Sequence, residues 1–152
     1  MSYLKFLMIL PMFSKACTYA IRAVLYLATH GSETKKLGVK EIAQALEVPK
    51  AFLAKLLQQL ARHNLMASSK GANGGFYLTK AHRKASLRDI IECIDGKDAL
   101  TGCILGLPVC SSENPCPLHA ETLKFRGGLD DAISSSTVES FTDAIKRQEL
   151  SI

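Results

Sequence analysis

Three cysteines and a histidine stand close together in the second half of the chain. Six residues separate Cys103 from Cys110, five separate Cys110 from Cys116, and His119 stands three after Cys116. Thiolates and an imidazole form a soft donor set, which selects zinc or iron–sulfur clusters over hard cations. Zinc sites usually carry tight Cys-x-x-Cys knuckles, and here only Cys116-Pro117-Leu118-His119 is so close. The spacing spans a cluster more comfortably than a single ion. An iron–sulfur cluster is therefore the preferred reading, with zinc or unligated thiols (a redox pair, or inert groups) as the alternatives. Cys116 also stands where it could cap a helix opened by Pro117, and a helix N-terminus lowers a thiol pKa.

The surroundings argue against an enzyme. No Ser/His/Asp set, paired carboxylates or phosphate loop accompanies the cysteines, and a thiol redox enzyme would want the absent Cys-x-x-Cys. His30, His63 and His82 are scattered and read as structural or solvated.

Positioning the thiols falls to what flanks them. From Lys97 to Pro115 helical periodicity vanishes, and Gly102, Gly106, Pro108, Asn114 and Pro115 punctuate a long loop. Loops of this length in compact domains are functional or disordered. Before it, Ser86 and Asp89 open a helix with Leu87, Ile90, Ile91 and Ile94 inward, stopped at Asp95-Gly96; Cys93 reads there as a small buried side chain. After it, Leu118, Phe125, Leu129 and Ala132 fall seven, four and three apart, a seam fit for a second copy of the chain. Gly127-Gly128 interrupts this helix at roughly 1 kcal/mol per glycine and is expected to kink or split it. Ser134–Thr137 ends it, and a short helix with a frayed end follows.

The front half has a different pattern. Val39, Ile42, Ala43 and Leu46 give one short helix an apolar face, Glu47-Val48 turns, and Pro49 suits the first position of a second helix. Leu53, Leu56, Leu57 and Leu60 line that helix's inner side, while Lys50, Lys55, Gln58, Gln59 and Arg62 face outward. Asn64 closes it as a C′ residue. Strands over Leu65–Ser69 and Phe76–Thr79 flank Lys70-Gly71-Ala72-Asn73-Gly74-Gly75, a loop rich in residues that tolerate positive φ and close backbone approach. Helix-turn-helix followed by a glycine-rich basic hairpin is the winged-helix pattern, with the second helix in the major groove and the hairpin on phosphates or the minor groove. An ordinary helical domain with a surface hairpin is the plainer alternative.

Charge placement favours the winged helix. Residues 12–89 carry 13 Lys and Arg against 4 Asp and Glu, a net of +9, whereas residues 90–152 carry 5 against 10, a net of −5. Only the front is built to face a polyanion. Ser14 caps a first helix that runs to His30; Ala16, Tyr19, Ala20, Ala23, Val24 and Leu27 make its inner face. Ile21 and Leu25 make the opposite side apolar as well, which points to a partner subunit. Ser32–Gly38 reads as a polar linker, and Lys80–Ala85 as a basic loop. One cysteine of the five would be left over from any disulfide pairing, and a reduced cytoplasm fits better. No apolar run approaches a membrane span.

The chain divides into residues 1–11, a disordered arm or a start placed too early with Met12 as the functional start; 12–96, the winged-helix domain; 97–116, the cysteine loop; and 117–152, a dimerisation helix and tail. The fold class is mainly α with a small β-hairpin wing.

Four stretches resemble the IscR/NsrR (Rrf-type) family of bacterial winged-helix regulators. They are Phe13-Ser14-Lys15-Ala16-Cys17-Thr18-Tyr19-Ala20-Ile21-Arg22-Ala23, Phe52-Leu53-Ala54-Lys55-Leu56-Leu57, the wing from Ser69 to Leu78, and the cysteine loop ending Cys116-Pro117-Leu118-His119. The resemblance implies a transcription factor binding a palindromic DNA operator as a homodimer joined through the long C-terminal helix. Lys50, Ala51, Lys55, Gln58 and Gln59 would then face DNA from the second helix, and Ser69, Lys70, Gly71, Asn73, Gly74 and Gly75 from the wing. Cys103, Cys110 and Cys116 would hold the cluster. His119 matches the histidine of the 2Fe–2S branch, so 2Fe–2S is preferred over 4Fe–4S, with Cys17 or Thr18 as outside candidates for the fourth ligand. The spacing of Cys103 from Cys110 is one residue longer than usual in the family, Lys70 replaces the usual wing arginine, and Gly127-Gly128 sits in the dimer helix.

Overall fold

The computed structural model describes residues 12–150 and 152, so the reading of residues 1–11 lies outside it. The first helix, α1 (Lys15–His30), starts where Ser14 predicts: the Ser14 hydroxyl accepts from the Cys17 N–H at 3.0 Å. Ala20, Ala23, Val24 and Leu27 enter the main core. The opposite face, expected to need a partner subunit, is covered by the same chain. Leu25 is buried in the main core, and Ile21 bridges it to a second cluster. Helices distant in sequence supply that cover, and no periodicity within α1 could have announced them.

Helices α2 (Val39–Leu46) and α3 (Lys50–Arg62) form the helix-turn-helix. Glu47 adopts the left-handed conformation that ends α2, and the Arg22 guanidinium donates to the Leu46 carbonyl there. Pro49 is the cap of α3 rather than its first residue. Leu53, Leu56, Leu57 and Leu60 are buried; each is worth roughly 1.5–3 kcal/mol relative to exposure. Asn64, at φ 57°, ends α3 as expected.

The wing is shorter than the sequence suggests, with β1 (Ala67–Ser69) antiparallel to β2 (Gly75–Tyr77) and Ser68 opposite Phe76. Leu37, in the supposed polar linker, adds one bridge on the other edge of β2. Its N–H donates to Phe76 O and its carbonyl accepts from Phe76 N, at 3.0 and 2.8 Å. Close backbone approach explains two of the glycines. A Cβ on Gly75 would stand 2.7 Å from the Leu37 carbonyl oxygen, and one on Gly74 would meet the Ser69 carbonyl oxygen at 2.4 Å. The close approach inferred from the sequence is made by the protein's own backbone.

Residues 80–85 are not a loop. Thr79 and His82 make a capping box for a one-turn helix, α4 (Lys80–Arg83), and Arg83 donates to the Ala28 carbonyl on α1. Helix α5 (Leu87–Asp95) opens on the expected Ser86–Asp89 capping box. At its far end the Asp95 carboxylate accepts from both the N–H and the hydroxyl of Ser14. A single 3₁₀ turn (Lys97–Ala99) leads into the cysteine loop.

Helix α6 (His119–Ser135) begins two residues after Pro117, and Leu118 rather than Cys116 holds the cap position. It runs unbroken through Gly127-Gly128 rather than splitting there. Leu129 and Ile133 dock it on the second cluster, and Arg88 on α5 reaches Asp130 and Ser134. Those tertiary contacts outweigh the glycine penalty, since packing rather than propensity supplies most helical stability in proteins. The tail forms α7 (Val138–Lys146), capped by Thr137, which returns to α1 and buries Val138 and Thr142.

Candidate nucleic-acid interface and thiol centre

Lys50, Ala51, Lys55, Gln58 and Arg62 are exposed on α3, and Lys70, Gly71 and Asn73 are exposed on the wing. The ion pairs found among the described residues involve none of these lysines. Three arginines of the same half are engaged inside the chain instead: Arg22 on Leu46, Arg83 on Ala28, and Arg88 on Glu92 and Asp130. Lys36 lies over the Tyr77 ring at the base of the wing, 5.1 Å from its centre.

Several expected DNA-facing residues turn inward. Gln59 is half-buried, and its amide donates to the Cys93 carbonyl on α5 at 2.8 Å. The Ser69 hydroxyl is buried without a partner among the described residues. Gly74 and Gly75 are half-buried and shape the hairpin. His82, read from sequence as structural or solvated, is structural. Its Nδ1 accepts from the Thr79 N–H at 3.1 Å and its Nε2 faces the Asn64 amide oxygen at 3.4 Å, joining the wing's exit to the end of α3. Burial lowers its pKa, with a smaller opposing pull from Glu33.

The loop brings the three thiols together. The Cys103, Cys110 and Cys116 sulfurs all lie within 4.8 Å of one another, with Cys103 and Cys116 3.8 Å apart. His119 Nδ1 stands 3.2 Å from Cys110 Sγ, while its buried Nε2 has no partner among the described residues. Together they line a cavity of about 40 Å³. Backbone N–H groups of the loop, Leu107 first, pull the Cys103 thiol down to about 7. Cys110 goes the other way. The Cys116 backbone favours its thiolate, but desolvation and the neighbouring Cys116 and Cys103 sulfurs outweigh that and raise its pKa. The sulfurs are thus arranged as adjacent would-be anions, a set that a cation would hold together.

The outside ligand candidates differ. Cys17 is fully buried, its thiol pushed up to about 12 by burial first and then by Asp95. Thr18 is exposed, donating to the Ser14 carbonyl at 3.2 Å. On α6, Leu118, Phe125 and Ala132 are exposed as the seam requires, but Leu129 turns into its own chain. Leu123, on the other side of the helix, is 52% exposed at the rim of the cysteine cavity. Ile104, Leu105, Leu107 and Val109 are exposed on the cysteine loop.

A family described as "Rrf2: Iron-dependent Transcriptional regulator" matches residues 13–144. The chain belongs to the Rrf2 family. It is 33% identical over 129 residues to a putative HTH-type transcriptional regulator of Aquifex aeolicus, covering 84% of this chain and 88% of that one. It is 26% identical to the HTH-type transcriptional repressor NsrR of Streptomyces coelicolor, covering 78% and 75%. Among solved structures, T. potens IscR superposes with a TM-score of 0.69 at 22% identity, covering 91% of both chains. This Rrf2 chain is a transcriptional regulator and not an enzyme, with the winged-helix fold that the sequence implied. No helix among its described residues is long and apolar enough to cross a membrane.

Proposed function

We propose that this Rrf2 protein is a cytoplasmic, homodimeric repressor whose grip on a palindromic operator is set by an iron–sulfur cluster on Cys103, Cys110, Cys116 and His119. The observation that carries the reading is the gathering of three thiols and an imidazole on a loop with few other anchors. The buried, orphaned Nε2 of His119 adds to it, because a buried polar atom without a partner costs about 1–3 kcal/mol. The donor chemistry fits such a group, and a bound cluster would supply ligation sensitive to redox state and small ligands. Lys50, Lys55 and Lys70 set affinity through phosphates, and Gln58 is the side chain on α3 free to reach a base edge. Leu118, Phe125 and Ala132, seven residues apart in turn, form the face offered to a second α6. Cys103, Cys110 and Cys116 tie the loop down to the start of that helix, and half-site spacing penalises small misplacements of α3.

A single tetrahedral ion such as zinc is the second reading, favoured by how close the sulfurs stand. Zinc–sulfur bonds of about 2.3 Å put tetrahedral ligands roughly 3.8 Å apart, whereas a polynuclear centre spreads its ligands further. Anaerobic purification separates the two. The cluster reading expects a brown protein with visible absorption, iron and acid-labile sulfide, all lost in Cys110→Ala. Stoichiometric zinc in a colourless protein supports the second reading, and a metal-free wild type refutes both.

A further inference from the structure

We infer that Gln59 is not a base-reading residue but the positioning residue through which the cysteine loop sets the recognition helix. The last four carbonyls of any α-helix lack partners within the helix. In α5 one of them, on Cys93, accepts the Gln59 amide of α3 at 2.8 Å, in a half-buried contact. That carbonyl lies two residues before Asp95, whose carboxylate holds Ser14 at the start of α1. The chain then passes through Gly96 and the 3₁₀ turn to buried Leu100 and on to Cys103. Leu100 packs with Cys17, Ile91 and Ile133, so the second core cluster joins the root of the cysteine loop to α1, α5 and α6. Among the side-chain hydrogen bonds of the described residues, Gln59 alone ties α3 to this hub. A displacement of the loop root moves the end of α5, and the Gln59 bond carries that displacement to the outward face of α3 one turn away, where Lys55 and Gln58 lie.

This rests on the cluster-controlled reading above, and the experiment keeps the two separate. Operator affinity of the full-length homodimer is measured anaerobically, cluster-loaded and metal-stripped, for wild type, Gln59→Met, which keeps length but cannot donate, and Gln59→Lys, which keeps an N–H donor. The ratio of loaded to stripped affinity is the quantity read. Gln59→Met is expected to reduce it about fivefold, the scale set by one hydrogen bond, while Gln59→Lys restores it to within twofold of wild type. Hydrogen exchange across residues 50–62 should respond to loading in wild type and respond less in Gln59→Met. A merely structural role would weaken both states equally and leave the ratio alone; a base-reading role would change preference for one operator base in both states. Either result overturns the inference. A wild-type ratio of one refutes the cluster-controlled reading and this inference with it, whereas a large ratio unchanged in Gln59→Met refutes the inference alone.

Discussion

Replacing Lys70 by alanine tests the basic surface quantitatively. Lys70 is exposed on the wing and outside the ion pairs of the described residues, so its charge is available to one phosphate. Each phosphate contact contributes about 0.9 to the slope of log affinity against log salt. The proposed homodimer would present the lysine twice, so Lys70→Ala should flatten the slope by about 1.8. Between roughly 50 and 200 mM salt, wild type should then lose about tenfold more affinity than the variant. Fluorescence anisotropy with a labelled operator duplex, repeated across that range, reads this directly. Arg83→Met is the internal control. Its guanidinium is engaged on the Ala28 carbonyl, so the slope should stay at the wild-type value while stability falls by about 1–2 kcal/mol. A flattening near 0.9 would mean that only one wing of the dimer touches DNA. An unchanged slope in Lys70→Ala would refute the placement of the wing on phosphates.

Gly75→Ala should cost about 2–4 kcal/mol in urea denaturation, combining an unfavourable positive φ with loss of both Leu37–Phe76 hydrogen bonds; a change below about 0.5 kcal/mol would show that the wing can step aside. Because His82 has a lowered pKa in the fold, the unfolded chain takes its proton first as pH falls through the ordinary histidine value of about 6.5. Stability should therefore be full above that value and decline below it, with the decline shallower in His82→Gln when Tm is followed from pH 7.5 to 5. In metal-free protein at pH 8, mass spectrometry should find Cys103 alkylated long before Cys17, whose buried thiol is pushed up to about 12. Equal labelling of the two would contradict the packing of the second cluster.

Local rules made much of this architecture readable. Ser14 and the Ser86–Asp89 pair mark helix starts because the caps that satisfy orphaned N–H groups lie within three residues of them. The glycine-rich hairpin and the cysteine loop were legible for the same reason, since their residue types carry the constraint. What escaped depends on partners remote in the chain. Leu37 pairs with Phe76 through its backbone alone, and a single rung has no period to detect. Gln59 looks like any solvated glutamine until α5 arrives with an unpaired carbonyl, 34 residues later. The apolar second face of α1 invited a partner subunit because α5 and α7 could not be foreseen above it. Gly127-Gly128 reads as a break by propensity, yet Leu129 and Ile133 anchor the helix just beyond it.

The return of α7 to the core carries a topological consequence. Val138 N donates to the Ala85 carbonyl at 2.9 Å, and Thr137 pairs with Ser86, so the chain leaves the winged-helix body after α5 and re-enters it at the start of the same helix. Cysteine loop and α6 are therefore an excursion clamped at both feet, closer to the handle of a jug than to a free tail. A strain introduced along the handle reaches the body at these two feet and where Leu129, Ile133 and Asp130 dock α6 against α5. Cutting the chain after Ser136 would remove a wall of the vessel along with its handle, so a minimal DNA-binding fragment must keep Val138 and Thr142 and bridge the gap with a short linker.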